Sequence, residues 1–516
     1  MSRRVFVVVL DGLGIGPCPD QDRYGDGGSD TLANTLARSP ADFSLPNLAA
    51  LGLGCCSALP RVPAVGAPRA AVGTALPRSE GKDSTTGHWE MTGLLLEKPF
   101  PTFPDGFPPD LIEAFAARTG RGVLGNRAAS GTAILDELGD QHRATGKWIV
   151  YTSADSVFQV AAHEEVVPIA ELYRACEIAR ELCVGPVGVS RVIARPFVGI
   201  SGKWVRTGGR KDYSLAPIGE TLLDRLATAG IPRVGIGKVD DLFAGRGIES
   251  RHAPTNRLAY QLLTEALERV ESGFVFANVI EFDQTWGHRN DVAGFLGGLE
   301  ELDRTLPDLL GRVQADDLVI FTADHGNDPT TPSTDHSRER VPVLVVGPKV
   351  RPAALGERAT FADVGQTVAE FLGTGPLAAG KSFLREVWIT DPVEQAAWAV
   401  RERAYAPYSG FRVGAAVTDE SGAIFAGCNV ENASYGLTIC AERSAVVQAV
   451  AAGVRRLDRV IVVTGTEPPA APCGACRQVL REFGPDLVID LVGPQSRKQW
   501  RMRDLLPDAF GPEWLP

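Results

Sequence analysis

Apolar residues along the chain follow two patterns. Four short runs are largely apolar: Val5–Leu10, Phe274–Ile280, Leu318–Thr322 and Val341–Val346. Such runs are typical of strands that a mainly parallel sheet buries on both faces. Helical patterns fill much of the chain between them. Strands and helices therefore alternate, and the sequence predicts an α/β fold.

The pattern changes between about residues 99 and 219. A Pro-rich segment, Pro99–Pro104, opens this region, and a segment rich in Gly, Arg and Lys, Ser201–Asp212, lies near its end. The largely apolar, strand-like runs resume only after residue 219. We therefore predict a core domain made of residues 1–98 and 220–389, with residues 99–219 inserted as an α/β cap domain.

A second boundary is predicted near Trp388–Pro392, where a new helix is expected at Val393–Ala404. We assign residues 393–516 to a separate C-terminal domain. Further helices are expected in this domain at Ser444–Ala452 and Arg477–Phe483. A chain of 516 residues is long enough for about two to four domains.

Composition excludes several classes of function. The net charge of −11 and the pI of about 5.3 argue against a nucleic-acid partner, which needs clustered Lys and Arg. Nine cysteines lack the dense, regular spacing of a disulfide scaffold. The apolar run that begins at Val5 ends at Asp11, too early for a signal peptide, and no run reaches membrane-spanning length. We expect a soluble, cytoplasmic protein that acts on small molecules without a membrane partner.

Three cysteines and a glutamate form the first candidate site. Cys440 and Glu442 open one predicted helix, and Cys473 and Cys476 open another. Helix N-termini favour thiolates, and three thiolates suit Zn²⁺ with a fourth position left for water, whose proton Glu442 can carry. Cys-x-Glu followed by Pro-Cys-x-x-Cys is the pattern of zinc deaminases. The alternative is a structural zinc site, which normally has four ligands, whereas the spare Cys428 lies in a strand-like stretch where packing is expected.

Residues 393–516 resemble the small cytidine deaminases that act on free nucleosides, with matching motifs at Tyr405–Ala416 and Gly427–Asn432. The resemblance implies a deaminase-like α/β/α domain, one Zn²⁺, and hydrolytic deamination of cytidine and deoxycytidine. It also implies a homo-oligomer, a tetramer formed through this domain. It assigns roles to five side chains: Asn429 and Glu431 hold the ribose hydroxyls, Phe411 stacks on the base, Glu442 protonates N3 and the departing ammonia, and Arg443 donates to the zinc thiolates.

The second candidate site consists of Asp and His residues, most of which closely follow predicted strands: Asp11, Asp283, His288, Asp324, His325 and His336. Sites in open α/β sheets form beyond the carboxyl ends of the strands, so residues distant in sequence converge there. Carboxylate and imidazole ligands suit Mn²⁺ or Mg²⁺. Two groups of such ligands predict a two-metal site of the kind that holds a transferring phosphoryl group.

A nucleophile for this site is expected in the Gly-flanked segment Gly81–Glu90. Its hydroxyl residues, Ser84, Thr85 and Thr86, are candidates to ligate a metal and attack phosphorus. A helix N-cap is the alternative role for such residues, but the metal ligands elsewhere favour a nucleophile. His88 in the same segment is expected to lie in a glycine- or acid-rich loop, where burial in the core is unlikely, and the same is expected of His288, His325 and His336.

Residues 1–390 resemble the phosphopentomutases of the alkaline-phosphatase superfamily. The matching motifs are Asp11–Gly16, Lys82–Glu90, Tyr151–Gln159, Arg191–Phe197 and Asp324–Asn327. The resemblance implies an alkaline-phosphatase-like core that interconverts ribose 1-phosphate and ribose 5-phosphate, with the 2-deoxy sugars also accepted. It further implies a phosphorylated enzyme that a sugar bisphosphate activates.

The same resemblance assigns residues to roles. One Mn²⁺ goes to Asp11, Asp324, His325 and the nucleophile, and a second goes to Asp283, His288 and His336. The phosphorylated residue of the family is usually the Thr after a Lys-Asp pair, where this chain has Ser84. We assign the role to Ser84 and leave Thr85 and Thr86 open. Contact with the pentose falls to Asp155, and binding of the distal phosphate falls to Arg195, Arg210 and Lys238.

Two rival functions remain open at this stage. The N-terminal half is alternatively a metal-dependent phosphatase that releases phosphate. The C-terminal domain is alternatively a non-catalytic module for nucleoside sensing or oligomerisation, although the intact Glu442 and the three cysteines argue against this.

Overall fold

A computed structural model describes residues 3–153 and 156–511. Its strands are, in chain order, β1 (Arg4–Leu10), β2 (Ala71–Ala75), β3 (Val123–Ala128), β4 (Trp148–Thr152), β5 (Val157–His163), β6 (Arg191–Ile200), β7 (Lys203–Arg206), β8 (Lys211–Ser214), β9 (Arg233–Ile236), β10 (Ser250–Arg251), β11 (Gly273–Val279), β12 (Asp317–Thr322), β13 (Val341–Val346), β14 (Ala354–Arg358), β15 (Val413–Thr418), β16 (Ile424–Cys428), β17 (Arg459–Thr464), β18 (Val488–Val492) and β19 (Arg497–Arg501).

The α-helices are α1 (Thr31–Ala37), α2 (Pro46–Leu51), α3 (Leu53–Cys56), α4 (Ser84–Met91), α5 (Pro109–Thr119), α6 (Ala133–Thr145), α7 (Ile169–Leu182), α8 (Leu222–Thr228), α9 (Val239–Leu242), α10 (Asn256–Arg269), α11 (Val292–Leu310), α12 (Ala362–Leu372), α13 (Leu384–Val387), α14 (Pro392–Arg401), α15 (Ala441–Ala451), α16 (Gly474–Phe483) and α17 (Met502–Leu505). The predicted α/β class is confirmed in all three sheets described below.

The largest sheet has eight strands in the order β10-β9-β11-β1-β12-β13-β2-β14. β1 lies between β11 and β12 and is parallel to both, and all seven of its residues are buried. The sheet is mainly parallel, as predicted, but β13 runs antiparallel to both of its neighbours. The apolar run at β13 thus indicated a strand buried on both faces, but it did not determine the direction of that strand, because a mixed sheet also buries both faces.

A six-stranded sheet is formed by β3 to β8. Alternate residues of β4 pack into different clusters: Trp148 and Val150 join one, and Ile149 and Tyr151 join the other. This alternation places helices on both faces, with α5 and α7 on one side and α6 on the other. The chain enters this unit after α4 and returns to the large sheet at β9.

The C-terminal sheet has five strands in the order β16-β15-β17-β18-β19. Its two faces are covered by different helices, since Val460 and Val462 pack in the cluster under α15 and α16, whereas Ile461 and Val463 pack under α14. This is the predicted α/β/α arrangement. The expected helix starts are shifted, because α15 begins at Ala441 and α16 at Gly474, three residues before the predicted positions.

The link between the large sheet and the C-terminal sheet is ordered. Ile389 packs with α14 against the C-terminal sheet. Glu394 in α14 is 2% exposed and lies 3.7 Å from Arg351 of the preceding region, and it also pairs with Arg497 of β19. Among the residues described, no helix has both the length and the apolar character needed to cross a membrane.

Two candidate active sites

Strand register brings the predicted Asp and His ligands together. Leu10 pairs with Val279 and Val9 pairs with Thr322, so the segments that follow β1, β11 and β12 start at the same edge of the sheet. Asp11 follows β1 directly, and Asp324 follows β12. Asp283 lies in a π-helical turn, a local form that is frequent at functional sites.

Two overlapping donor groups result. Asp11, Asp324 and His325 form one group, and Asp283, His325 and His336 form the other, with the candidate ligand atoms of each group within 4.8 Å of one another. The rings of His325 and His336 lie 4.2 Å apart between centroids. His288 completes the set, since its Nε2 lies 3.4 Å from Asp283 Oδ2.

Several donor atoms are buried without being used in hydrogen bonds. Asp324 Oδ2 and His336 Nε2 are buried and make ionic contacts, yet neither has a hydrogen bond of proper geometry within residues 3–153 and 156–511. Burying such atoms unpaired is costly, and a cation between them removes the cost. The donor set therefore fits two divalent cations, and oxygen and imidazole donors suit Mn²⁺.

Charge interactions dominate the protonation of this site. Burial by itself lowers the pKa of His325, but the carboxylates of Asp324 and Asp11 raise it to about 10. Burial also opposes the charged form of His288, but Asp283 raises that pKa to about 9. Burial raises the pKa of Asp11, but Lys238 and His325 together lower it below its usual value. Without metal, protons on the histidines therefore balance the carboxylates.

Ser84 is the hydroxyl residue that reaches the metal ligands. Its Oγ lies 3.3 Å from Asp11 Oδ1 and 3.1 Å from His325 Nε2. Thr86 Oγ1 instead donates to Asp83 at 2.6 Å, and Asp83 caps α4. The capping role predicted as an alternative thus belongs to Asp83, and Ser84 is the first residue of the helix.

The structure corrects the expectation that His88, His325 and His336 escape burial. His325 and His336 are buried although they lie in loops, and the third correction concerns His88. This residue lies within α4 and is fully buried, not in a loop. Gly87 before it allows the close approach, since a Cβ there would lie 2.3 Å from the backbone oxygen of Asp324. Gly87, which suggested a loop in the sequence, therefore permits α4 to pack closely against Asp324.

A cavity of about 1010 Å³ joins this centre to the cap. Ser84, Asp283, His288 and His336 line one part of it, and the predicted phosphate-binding residues Arg195 and Arg210 line another. Arg195 Nε donates to Gln159 at 3.1 Å. Arg210 forms a two-point pair with Asp212, at 2.7 Å for both bonds.

Lys238 does not occupy the position expected of a distal phosphate ligand. Its Nζ lies 2.8 Å from Asp11 Oδ2 and 3.4 Å from Ser84 Oγ. Asp155, predicted to contact the pentose, lies outside the described residues. Asn327 was given no role by sequence reasoning, although its Nδ2 donates to Asp283 Oδ1 at 2.7 Å; its place beside the Asp324-His325 pair was the available signal.

The three predicted cysteines also meet. Cys440 and Cys473 are the N-cap residues of α15 and α16, and their sulfur atoms lie 3.7 Å apart. Cys476 in the first turn of α16 completes the group, with all three sulfur atoms within 4.8 Å of one another. Three converging sulfur atoms fit a Zn²⁺ ion, and Cys428 does not belong to the group.

The surroundings of the sulfur atoms favour a thiolate and a protonated carboxyl. Hydrogen bonding from Cys476 and from Arg443 lowers the pKa of Cys440 to about 5. Arg443 Nη2 lies 3.8 Å from Cys440 Sγ, as expected of a donor to the thiolates. Glu442 is 5% exposed, and burial, with the charge of Cys440, raises its pKa. A carboxyl with a raised pKa beside a metal site suits proton transfer.

The predicted nucleoside-binding residues lie in loops, and Val430, between Asn429 and Glu431, pairs with Ile439, the residue before Cys440. Asn429 Oδ1 accepts from Val413 N at 2.8 Å, and its Nδ2 donates to Phe411 O at 2.8 Å. Glu431 accepts from the backbone N–H groups of Tyr408 and Ser409. The side chains of Asn429 and Glu431 thus hold the loop that carries Phe411. Phe411 is 38% exposed.

Comparisons with known proteins match the N-terminal and C-terminal parts of the chain to different families. Residues 3–376 match the metalloenzyme superfamily, and residues 391–491 match the zinc-binding region of the cytidine and deoxycytidylate deaminases. Phosphopentomutase from Caldanaerobacter subterraneus is 50% identical over 393 residues, which are 75% of this chain and 98% of that protein. Phosphopentomutase from Anaeromyxobacter dehalogenans is 54% identical over 389 residues, which are 75% of this chain and all of that protein.

Two solved structures resemble the C-terminal part. A cytidine deaminase from Burkholderia pseudomallei is 53% identical and covers 23% of this chain and 97% of its own, with a TM-score of 0.23. A cytidine deaminase from Mycobacterium tuberculosis is 45% identical and covers 23% of this chain and 95% of its own, with a TM-score of 0.21.

Proposed function

Because the chain belongs to the phosphopentomutase family of the metalloenzyme superfamily over three quarters of its length, and carries a cytidine deaminase domain after it, we propose that it is a bifunctional enzyme of nucleoside salvage. The N-terminal region interconverts ribose or deoxyribose 1-phosphate and the corresponding 5-phosphate. The C-terminal domain hydrolyses cytidine and deoxycytidine to uridine and deoxyuridine with release of ammonia.

Ser84 is the phosphorylated residue in this proposal. Phospho-Ser84 donates its phosphoryl group to the 5-hydroxyl of the pentose 1-phosphate, which leaves free Ser84 and a pentose 1,5-bisphosphate. Ser84 Oγ then accepts the phosphoryl group from O1, and the pentose 5-phosphate departs. A sugar bisphosphate phosphorylates Ser84 by the reverse of the first step, which explains the need for an activator.

The observation that carries the mutase proposal is a single cavity that contains both the Ser84 hydroxyl and the guanidinium groups of Arg195 and Arg210. A pentose with phosphates at both ends needs a reacting end and an anchoring end, and these residues supply them. Lys238 contacts Ser84, so we assign it to the transferring phosphoryl group and not to the distal one. The cap covers the cavity, which favours return of the phosphoryl group to the sugar over its loss to water.

The Asp and His ligands of both groups would hold two Mn²⁺ ions, which neutralise charge on the transferring phosphoryl group. Cys440, Cys473 and Cys476 would hold one Zn²⁺ ion, which acidifies a water molecule. Glu442 would carry one proton of the water to N3 of the cytosine and the second proton to the amino group, which leaves as ammonia. Its burial keeps the proton available, since a buried carboxyl resists ionisation.

We further propose that the protein is a homo-oligomer, a tetramer assembled through the deaminase domain, with no nucleic-acid or membrane partner. Apolar side chains near Cys440 support this: Tyr435 is 78% exposed, Leu437 66% and Ile439 45%. Such a patch beside an open site is typical of a surface that another chain covers. Analytical ultracentrifugation of the protein and of Leu437→Glu tests the assembly; a monomeric unsubstituted protein would contradict it.

One set of assays tests the two activities. Purified protein is analysed for metals, and two manganese and one zinc per chain are expected. With Mn²⁺ and a sugar bisphosphate, ribose 1-phosphate is expected to isomerise faster than it releases inorganic phosphate. Predominant phosphate release would instead identify a phosphatase. Zinc-loaded protein that leaves cytidine unchanged would show that the C-terminal domain is not a deaminase.

A further inference from the structure

His88 is a buried side chain that the proposed mechanism does not use, although it contacts two parts of the mechanism. Its Nδ1 lies 2.9 Å from the carbonyl oxygen of Ser84 and 3.1 Å from Asp324 Oδ2. Its Nε2 lies 3.2 Å from Asn278 Nδ2. The ring also packs on Phe276, with centroids 5.4 Å apart.

These contacts define which nitrogen carries the proton. The Ser84 carbonyl and the Asp324 carboxylate are both acceptors, so Nδ1 must be the donor. Nε2 is then the acceptor, and it faces the amide donor of Asn278. With its proton on Nδ1, the ring donates to the Ser84 carbonyl and accepts from Asn278, and the same N–H lies 3.1 Å from Asp324 Oδ2.

The Asp324 carboxylate lies between Gly12 and the His88 ring. Its Oδ1 accepts from Gly12 N at 3.2 Å, while Oδ2 makes no hydrogen bond of proper geometry with the described residues and has the His88 N–H beside it. The backbone of Asp324 is also pressed against Gly87, the residue before His88. Helix α4 therefore contacts Asp324 through two successive residues, Gly87 and His88.

We infer that His88 is a positioning residue that fixes the Ser84 end of α4 against the metal ligand Asp324, so that nucleophile and metal are held in one geometry. The inference rests on the proposed function for the roles of Ser84 and Asp324. Side chains that orient metal ligands in this way commonly change metal affinity by about 10- to 100-fold when they are lost.

Two substitutions of similar size test the inference. His88→Asn keeps an N–H donor near the position of Nδ1, whereas His88→Gln moves its amide toward the position of Nε2. Mn²⁺ alone is titrated into the metal-free full chain and followed by the electron paramagnetic resonance signal of the free ion. We expect His88→Gln to weaken Mn²⁺ binding by about 10-fold or more and His88→Asn to restore affinity to within about 3-fold of the unsubstituted protein.

Equal weakening in both variants, or no weakening in either, overturns the inference, because a role in packing alone does not distinguish the two amides. Circular dichroism and thermal unfolding check that the variants fold. If they do not fold, nitrogen-15 spectra of histidine in the unsubstituted, Mg²⁺-loaded protein give a second measurement. A buried histidine protonated only on Nδ1 is expected, and its absence overturns the inference.

The outcome is separable from that of the proposed function. A chain that shows the Mn²⁺ difference between the two variants but releases phosphate from ribose 1-phosphate retains the positioning role of His88 and loses the mutase proposal. A chain that isomerises ribose 1-phosphate with unaltered Mn²⁺ binding in both variants retains the mutase and loses the role of His88.

Discussion

The hydroxyl oxygen of Ser84 lies 3.1 Å from Nε2 of His325. Ser84 opens helix α4 and His325 follows strand β12, and 241 residues separate them in the sequence. The sheet register brings them together, since β12 pairs with β1 and the ends of both strands face α4. This pair distinguishes Ser84 from the two threonines that follow it.

Ser84→Ala is expected to abolish mutase activity, with a loss of about 10³-fold or more, because no other hydroxyl takes over a covalent step. Ser84→Thr retains a hydroxyl and is expected to keep measurable activity. Mass spectrometry after incubation with a sugar bisphosphate checks the site of phosphorylation. Thr85→Ser is the matched control, and a phosphate found on Thr85 or Thr86 would contradict the assignment.

Gly87→Ala is expected to disrupt the metal centre. The added Cβ would lie 2.3 Å from the backbone oxygen of Asp324 and 2.8 Å from its Cβ, so α4 and the Asp324 segment must separate. We expect weaker Mn²⁺ binding and a loss of mutase activity of about 10²-fold, as for displaced catalytic groups in general. Gly297→Ala in α11 is the control, because open space surrounds that position. Similar behaviour of both variants would refute the argument.

The metal-free and Mn²⁺-loaded proteins are expected to respond to pH in opposite ways. The pKa values of His288 and His325 are raised from 6.5 to about 9 and about 10. The stability these histidines contribute is fully present below pH 6.5 and is lost as pH rises through about 9 to 10. Mn²⁺ must displace these protons, so its affinity rises over the same range.

Melting temperatures at pH 6 to 10, with Mn²⁺ or with a chelator, measure this difference. The stabilisation by Mn²⁺ is expected to grow with pH. A constant or shrinking stabilisation would show that His288 and His325 are not protonated in the metal-free site.

Glu442→Gln is expected to reduce deamination by about 10² to 10⁴-fold, the usual range for a general acid–base group. Zinc content should stay at one per chain, because the three cysteines remain. Mutase activity in the same sample is the internal control, since the Asp and His donors belong to a different sheet. Joint loss of both activities would show that the change acts through misfolding or coupling.

The sequence was sufficient to predict features that follow from burial and chain direction. β1, β11 and β12 were predicted because most of their residues are apolar, and Asp11 and Asp324 follow within two residues of such strands. The sulfur donors were predicted because Cys440, Cys473 and Cys476 carry a specific spacing.

Contacts that depend on how helices pack could not be predicted in the same way. The position of His88 depends on the close approach of α4 to Asp324, and Gly87 looks the same in a sequence whether it forms a loop or permits contact. Lys238 contacts Asp11 because the turn after β9 directs it there, which no local pattern indicates. The antiparallel direction of β13 could not be predicted either, because a strand is apolar when it is buried, whichever way it runs.

Glu394 is expected to couple the stability of the mutase region to that of the deaminase domain. It is 2% exposed, its Oε1 lies 3.7 Å from Arg351 Nε, and its other oxygen pairs with Arg497. Glu394→Ala leaves Arg351 and Arg497, whose side chains are 23% and 44% exposed, without this carboxylate. Because water can reach both guanidinium groups, the cost stays below that of a fully buried pair and is about 1.5 to 3 kcal/mol. Glu394→Ala should therefore lower the free energy of unfolding by that amount and separate one unfolding transition into two.

Arg69→Ala is the control for Glu394→Ala, because it removes an exposed ion pair between the two regions and leaves Glu402 beside the buried Arg401. Glu402 lies 3.9 Å from Arg69, and both side chains are more than a third exposed, so the pair contributes less than about 1 kcal/mol. Calorimetry and the temperature dependence of each activity measure the coupling. If Glu394→Ala and Arg69→Ala unfold alike, the ion pairs of Glu394 do not join the two regions, and the packing of Ile389 against the C-terminal sheet carries that role.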